Sequence, residues 1–169
     1  MPRKDGHDLT LLERIASNVK LMVQRPPRQQ YGAICYRMTT SGVPEVLLLT
    51  SRDTGRWVIP KGWPMASKPS HEVAAQEAFE EAGVRGTANA EPAGSYLYTK
   101  VLDNGLRIPC RVQVHALKVE EMLDDFPEKD CRHLEWVSFD EAAKRVRESE
   151  LKSLLRRFPA WLAAKSKTA

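Results

Sequence analysis

The sequence predicts an α/β fold of the α+β type, in which helices lie on both faces of a mixed β-sheet. Segments with strand character outnumber helical segments and do not alternate with them regularly, which argues against a doubly wound or barrel fold. The turn Asp103-Asn104-Gly105 joins two long strand-like segments, which is typical of a β-hairpin. With 169 residues, 42% of them hydrophobic and 28% charged, the chain has the size and composition of one globular domain.

The strands are predicted from apolar or alternating segments that lie between turn residues. The segment 45–51 is almost continuously apolar, which indicates a strand buried on both faces of the sheet. A short extended segment over 56–60 ends at a proline, and the loop predicted over 61–70 contains two more prolines. The other predicted strands cover 31–38, 94–101, 106–119 and 133–137.

Capping residues mark the predicted helices of the domain. A helix is predicted from about Pro69 or Ser70 to Ala82, since Pro69 suits a first helical turn and Gly83 is a residue typical of a C-cap. A capping box from Ser138 to Glu141 predicts a helix that reaches about residue 147. A last helix over 151–164 contains a proline, Pro159, at which a bend is expected.

The N-terminal residues 1–29 are predicted to form an extension, and residues 30–165 are predicted to form the domain. Apolar residues at helical spacing over 9–23 predict a short amphipathic helix, which ends before Pro26. We expect this helix to pack on the domain. Its apolar face could instead form a contact in a homodimer.

The composition excludes several classes of protein. No apolar segment is long enough to cross a bilayer, and no apolar core of a secretory signal follows the first charged residues. Three cysteines without a CxxC motif indicate reduced thiols and a cytoplasmic location. The net charge of +4 and the pI of about 9.0 favour an anionic partner, either nucleic acid or a phosphate-rich small molecule.

The most informative segment carries three carboxylates, Glu77, Glu80 and Glu81, on one face of the predicted helix. Like charges at this spacing repel one another, and the negative end of the helix dipole disfavours them further. A bound hard cation such as Mg²⁺ would remove this conflict, because it prefers oxygen ligands and shares them with substrate phosphates. A solvated acidic helix face would have the same spacing, so this segment alone leaves both interpretations open.

The span around this helix resembles the Nudix box, whose pattern is G-x5-E-x7-R-E-U-x-E-E-x-G-U, with U an aliphatic residue. All fixed positions but two match without a gap, and the pattern is long enough to be specific. The resemblance implies an α/β/α sandwich of mixed sheet and helices, with a loop–helix–loop motif that binds Mg²⁺ or, in its place, Mn²⁺. The matching span is Gly62-x5-Lys68-x7-Gln76-Glu77-Ala78-x-Glu80-Glu81-x-Gly83-Val84.

The same resemblance implies the roles of the site residues. Glu77, Glu80 and Glu81 would be catalytic and would hold the metal, together with the backbone carbonyl of Gly62 or Lys61. The general base varies in the family, so four carboxylates remain candidates for it: Glu77, Glu80, Glu121 and Glu128.

Two positions depart from the family pattern. Lys68 stands where the family has glutamate, and Gln76 stands where it has arginine. Gln76 can donate a hydrogen bond to a neighbouring carboxylate but brings no charge, which predicts a weaker or slower site.

The segment from Arg56 to Trp63 resembles the diphosphoinositol polyphosphate phosphohydrolase branch, whose members also act on diadenosine polyphosphates. The resemblance implies a pyrophosphohydrolase that uses metal-activated water to cleave a phosphoanhydride bond in such a small molecule. Trp63, Tyr96 and Tyr98 are candidates for stacking a base. The cations expected to contact substrate phosphates are Lys61, Arg52, Arg56, Lys68 and Arg111.

Two alternatives stay open at this point. The same chemistry could act on the 5′ end of RNA, although no basic segment interleaved with aromatic residues favours nucleic acid as a partner. The departures at Lys68 and Gln76 could instead indicate a metal-free binding module that keeps the fold and has lost the reaction.

Overall fold

The computed structural model describes residues 26–167. The predicted helix over 9–23 and most of the predicted extension lie outside the described residues. The first strand begins at Arg28, so regular structure starts two residues before the predicted domain boundary. Within the described part of the chain, no helix is both long enough and apolar enough to span a membrane.

A mixed sheet forms the centre of the described chain. Its order is β3-β2-β1-β6-β5, with β4 on the edge of β1 and β7 on β2. The pairing of β1 with β6 is parallel, whereas the other pairings are antiparallel. Its strands are β1 (Arg28–Met38), β2 (Pro44–Thr50), β3 (Trp57–Val58), β4 (Lys61–Gly62), β5 (Val84–Val101), β6 (Arg107–Met122) and β7 (Leu134–Ser138).

Three helices occur in the described residues: α1 (Ser70–Ala82), α2 (Phe139–Arg145) and α3 (Ser149–Ser166). Gly83 ends α1 in the left-handed conformation that was predicted for it, with φ of 65°. The predicted capping box is also confirmed, because the side chain of Ser138 accepts a hydrogen bond from Glu141 N. Pro69 is the N-cap of α1 and not part of its first turn, and α3 continues through Pro159.

Two hydrophobic layers cover the two faces of the sheet. Ile34 packs in the layer shared with α2 and α3, whereas its neighbour Cys35 packs in the layer shared with α1. Successive residues of a strand point to opposite faces, so this alternation places helices on both sides of β1. The predicted α+β arrangement with a mixed sheet is therefore confirmed.

The long hairpin of β5 and β6 differs from its prediction in length. The turn is as predicted, with Gly105 at φ of 79° and Val101 opposite Arg107. However, β5 begins at Val84, ten residues before the predicted start, because three irregularities between Arg85 and Gly94 interrupt its register. Such bulges break the alternation of apolar residues from which a strand is predicted.

Candidate active site

The carboxylate of Glu77 lies directly against the backbone of β4. A Cβ atom added to Gly62 would lie 1.8 Å from Glu77 Oε1, so any side chain at position 62 would displace the Glu77 carboxylate. The sequence placed Gly62 in a loop, but it pairs with Tyr31 as part of a two-residue strand. This pairing holds the β4 backbone against the acidic face of α1.

Glu81 connects α1 to β4 and to a more distant loop. Its Oε2 atom accepts a hydrogen bond from Lys61 N at 3.3 Å. Its Oε1 atom accepts a hydrogen bond from Arg132 Nη2 at 2.8 Å. The side chain of Glu81 is 9% exposed, so the carboxylate is desolvated and these contacts replace its water.

Burial and mutual repulsion perturb the carboxylates of α1. The pKa of Glu77 is raised to about 7, first by burial and then by the nearby charges of Glu81, Glu80 and Glu128, against the opposing effect of Lys61. Burial also raises the pKa of Glu81, although the positive charges of Lys61 and Arg132 oppose the shift. Negative charge therefore concentrates here at a cost that a bound cation would reduce.

The Lys61 side chain lies between this acidic face and the sheet. Its Nζ atom is 5.3 Å from the centre of the Tyr98 ring. Burial is the main cause that lowers the pKa of Lys61, with attraction to Glu81 acting in the opposite direction and repulsion from Arg56 adding to the lowering. Lys61 thus contributes both its backbone N–H, which bonds to Glu81, and its charged side chain to the same site.

The two residues that depart from the family pattern contact each other. Lys68 Nζ lies 3.4 Å from Gln76 Oε1, and Gln76 Nε2 donates a hydrogen bond to Glu80 Oε1 at 2.6 Å. The Gln76 amide therefore links Lys68 to Glu80 and orients the Glu80 carboxylate. The glutamine still orders one carboxylate of the helix face, as its donor group allows.

An open cavity of about 700 Å³ adjoins Glu81 and Lys61. Of the five cations expected at substrate phosphates, Arg52, Arg56 and Lys61 line it. Three further basic residues line the cavity wall: Lys100, Arg132 and Arg147. Arg132 and Arg147 come from separate elements and carry no motif, so the sequence did not identify them.

The other two expected cations do not line this cavity. Lys68 is exposed in the loop before α1 and contacts Gln76. Arg111 lies on β6 between Cys110 and Val112, which are both buried, so its side chain projects from the opposite face of the strand. Gln113, on that same face, donates a hydrogen bond to Ser70 at the start of α1. Arg111 thus lies on the α1 side of the sheet.

The aromatic candidates also differ from one another. Tyr96 is 1% exposed within the core, so it cannot stack a base as the sequence suggested. Tyr98 lines the cavity, but Lys61 and Arg56 lie over its ring, and its hydroxyl donates to Gln30 Oε1 at 2.6 Å. Trp63 is 36% exposed and has Lys100 Nζ 5.2 Å from its ring centre.

Glu128 and Arg132 reach the site from the loop before β7. Arg132 Nε donates to Glu128 Oε2 at 2.7 Å, and its remaining contacts are with Glu81 and the Thr50 carbonyl. Of the candidate bases outside α1, Glu128 is thus beside the site, whereas Glu121 pairs with Arg85 on the β5–β6 hairpin. The sequence missed Arg132 because no motif surrounds it and Glu81 is 51 residues away.

The donor chemistry of α1 fits a hard divalent cation. Glu77 and Glu81 offer carboxylate oxygens, the backbone of Gly62 lies against the Glu77 carboxylate, and burial together with the neighbouring carboxylates raises the pKa of Glu77. Within residues 26–167 no three acidic, histidine or cysteine side chains already converge on one point. Glu80 and Glu81 instead contact Gln76 and Arg132.

Comparison with known proteins agrees with this geometry. The family model of the NUDIX domain matches residues 26–158, which include the sheet, α1 and the cavity. The chain belongs to the Nudix family. The resemblance inferred from the box is thereby confirmed.

Curated relatives of this Nudix chain include plant proteins. It is 32% identical over 117 residues to Nudix hydrolase 12, mitochondrial, of Arabidopsis thaliana, covering 68% of this chain and 58% of that relative. It is 30% identical over 165 residues to Nudix hydrolase 21, chloroplastic, of the same plant, covering 94% of this chain and 79% of the relative. The chain spans less than two thirds of the length of several such relatives.

Solved structures share the fold. The binary complex of Ap4A hydrolase from C. elegans has a TM-score of 0.60 and 24% identity, covering 81% of this chain and 98% of that one. The NUDIX domain of Shewanella oneidensis NrtR, complexed with ADP ribose, has a TM-score of 0.60 and 12% identity, covering 91% and 99%. At these identities the likeness establishes the Nudix fold.

Proposed function

We propose that this protein is a pyrophosphohydrolase that cleaves a phosphoanhydride bond in a diphosphate-containing small molecule. The observation that carries the proposal is the juxtaposition of the acidic face of α1 with a cavity lined by Arg52, Arg56 and Lys61. The names of its curated relatives, which are Nudix hydrolases, support the reaction class.

We assign the metal to Glu77, Glu80 and Glu81, with the carbonyl of Gly62. Nudix hydrolases generally use divalent metal ions, and Mg²⁺, with Mn²⁺ as a substitute, suits these oxygen donors. When bound, the ion supplies positive charge for the diphosphate and lowers the pKa of a water molecule. Lys61 and Arg56 bind and orient the phosphates, while Glu128 or a carboxylate of α1 accepts the proton of the attacking water.

The charges of the cavity favour a multiply phosphorylated substrate. Six basic side chains line it, against three acidic ones. Within the described residues, the one aromatic side chain of its lining, Tyr98, already has Lys61 and Arg56 over its ring, at 5.3 Å and 5.7 Å from the ring centre. We therefore favour the diphosphoinositol polyphosphate class of substrate over the dinucleoside polyphosphate class. Trp63 could still stack the base of a dinucleoside polyphosphate.

The same contacts bear on two alternative functions, RNA 5′-end hydrolysis and metal-free binding. A protein that cleaves RNA 5′ ends would use the same carboxylates, and the basic cavity would accept its phosphates. A metal-free binding module is less well supported, because the hydrogen bond from Gln76 keeps Glu80 ordered despite the missing arginine. A small-molecule substrate, without nucleic acid or membrane, is the partner we propose.

Cytoplasmic location and a homodimer are also proposed. The three cysteines Cys35, Cys110 and Cys131 are free thiols in the described structure, which suits a reducing compartment. Several curated relatives are named as mitochondrial or chloroplastic, so fractionation of the native source is the relevant measurement.

The decisive experiment measures phosphate release with Mg²⁺ from a panel of substrates. The panel holds a diphosphoinositol polyphosphate, Ap4A, ADP-ribose and triphosphorylated RNA, with Glu81→Gln as the inactive variant. Since Glu81 is 7% exposed and paired with Arg132, this variant is also expected to be less stable, so its melting temperature is measured in parallel. Absence of Mg²⁺-dependent turnover on the whole panel contradicts the proposal.

A further inference from the structure

The loop of residues 123–133 is attached to the C-terminal end of α1. Leu123 N donates to the Gly83 carbonyl at 2.8 Å, and Glu128 N donates to the Glu80 carbonyl at 2.9 Å. Phe126 packs so closely on Gly83 that an added Cβ atom would lie 2.5 Å from its ring. These contacts fix where the loop delivers the side chains of Glu128 and Arg132.

Arg132 makes contacts on three sides with one planar guanidinium group. Nη2 bonds to Glu81 Oε1 at 2.8 Å, Nε to Glu128 Oε2 at 2.7 Å, and Nη1 to the Thr50 carbonyl at 3.1 Å. The side chain is 7% exposed. Because the donors are held in a rigid fork, these three partners define one orientation of the group.

No cation of α1 itself neutralises Glu81. The helix contains no lysine or arginine, and position 76 carries a neutral glutamine that is bound to Glu80. Two positive side chains from outside the helix act on Glu81 instead: Arg132 of the loop forms an ion pair with it, and the charge of Lys61 on β4 also attracts it. Arg132 occupies Oε1 of the carboxylate, whereas Oε2 accepts only the longer bond from Lys61 N.

We propose that Arg132 is a positioning residue that fixes the Glu81 carboxylate and that it is, beside Lys61, a counter-ion there, in competition with a divalent cation. Removal of its charge makes Glu81 more attractive to a cation, because the local potential becomes more negative. Replacement of the guanidinium group lets the Glu81 and Glu128 carboxylates move independently, which slows a reaction that depends on their alignment. Loss of Arg132 should therefore tighten cation binding and at the same time slow the reaction. The catalytic part of this inference rests on the proposed function.

The test compares Arg132→Gln, Arg132→Lys and the control Arg85→Gln. Arg85 also pairs with a glutamate, but both side chains are exposed, at 62% and 59%. Mn²⁺ affinity is measured calorimetrically on each protein without substrate, and kcat and KM are measured on the best substrate of the panel. Thermal unfolding is recorded for all variants.

Arg132→Gln should bind Mn²⁺ about fivefold to tenfold more tightly than the unmodified protein, at the lower end of the range for coupled sites. Arg132→Lys keeps the charge but not the fork, so its Mn²⁺ affinity should be unchanged. In both variants kcat should fall about tenfold or more while KM stays nearly constant. Arg85→Gln should change none of these quantities.

Unchanged or weaker Mn²⁺ binding by Arg132→Gln overturns the counter-ion role, since a merely structural residue would weaken the site. A higher KM with unchanged kcat also overturns the proposal, because Arg132 would then hold substrate. If Arg132→Gln does not fold, Arg132→Lys decides: lower kcat with unchanged Mn²⁺ affinity supports positioning, and unchanged kcat refutes it.

The proposed function can fail separately. If the unmodified protein turns over no substrate while Arg132→Gln still tightens Mn²⁺ binding, the counter-ion role stands and the pyrophosphohydrolase assignment falls. If the unmodified protein turns over substrate normally but Arg132→Gln binds Mn²⁺ no more tightly, the pyrophosphohydrolase assignment stands and the counter-ion role falls.

Discussion

The carboxylate of Glu77 occupies the space into which any side chain at position 62 would project. An added Cβ atom at Gly62 would lie 1.8 Å from Oε1 and 2.5 Å from Oε2 of Glu77. The glycine of the box is thus required by close approach, because its φ angle is not in the left-handed region.

Gly62→Ala should displace Glu77 and lower kcat about a hundredfold, since a shift of about 1 Å at a catalytic group has effects of this size. Mn²⁺ binding should weaken in the same variant. The control is Gly42→Ala, which strains a turn at φ of 78° but meets no atom within 4 Å. Activity of Gly62→Ala equal to that of Gly42→Ala would show that Glu77 does not need its present position.

The stability of the metal-free protein should depend on pH through Glu77. Its pKa is raised from 4.5 to about 7, mainly by burial, so the folded protein binds this proton more tightly than the unfolded chain does. The contribution is complete below pH 4.5 and is lost as the pH rises through about 7. The melting temperature should therefore fall between pH 5 and 8.

Glu77→Gln should reduce that fall, and added Mn²⁺ should raise the melting temperature more at pH 8 than at pH 5. The control is Glu45→Gln, which removes a partly exposed carboxylate that pairs with Arg37 at 3.0 Å. A pH dependence identical in Glu77→Gln and Glu45→Gln would assign the effect to other groups.

Lys68 and Gln76 should act as a pair. Gln76→Arg alone would place a second cation beside Lys68 Nζ, which is now 3.4 Å from the glutamine oxygen. The neutral glutamine was expected to weaken the site, but the contact with Lys68 predicts little or no gain in Mn²⁺ affinity from the arginine alone. Lys68→Glu combined with Gln76→Arg should bind Mn²⁺ about threefold more tightly than Gln76→Arg alone, as expected for a partly exposed ion pair. Additive effects in a double-mutant cycle would refute the coupling.

Arg52 and Arg111 should differ in their effect on substrate affinity, although both were expected to contact phosphates. Arg52 lines the cavity and has a 60% exposed side chain, whereas Arg111 projects from the other face of β6. Arg52→Gln should raise KM about tenfold or more, as expected for a lost hydrogen bond to a charged group. Arg111→Gln should leave KM unchanged. Equal effects of the two substitutions would show that substrate does not use this cavity.

The sequence by itself determined the helix of the site and the type of its donors. The bounds of α1, the left-handed cap at Gly83 and the face shared by Glu77 and Glu81 follow from interactions within a few residues. These features depend on short-range interactions between residues at fixed spacing, so they can be predicted from one sequence. The hairpin turn at Gly105 was legible for the same reason.

The tertiary structure decided which charges meet. Arg132 reaches Glu81 across 51 residues, and Arg111 points away from the cavity because of the strand register of β6. The start of β5 at Val84 likewise depends on pairing with β6, since its bulges erase the local pattern. Ion pairs and strand pairings of this kind are fixed by packing between distant segments, and local spacing carries no record of them.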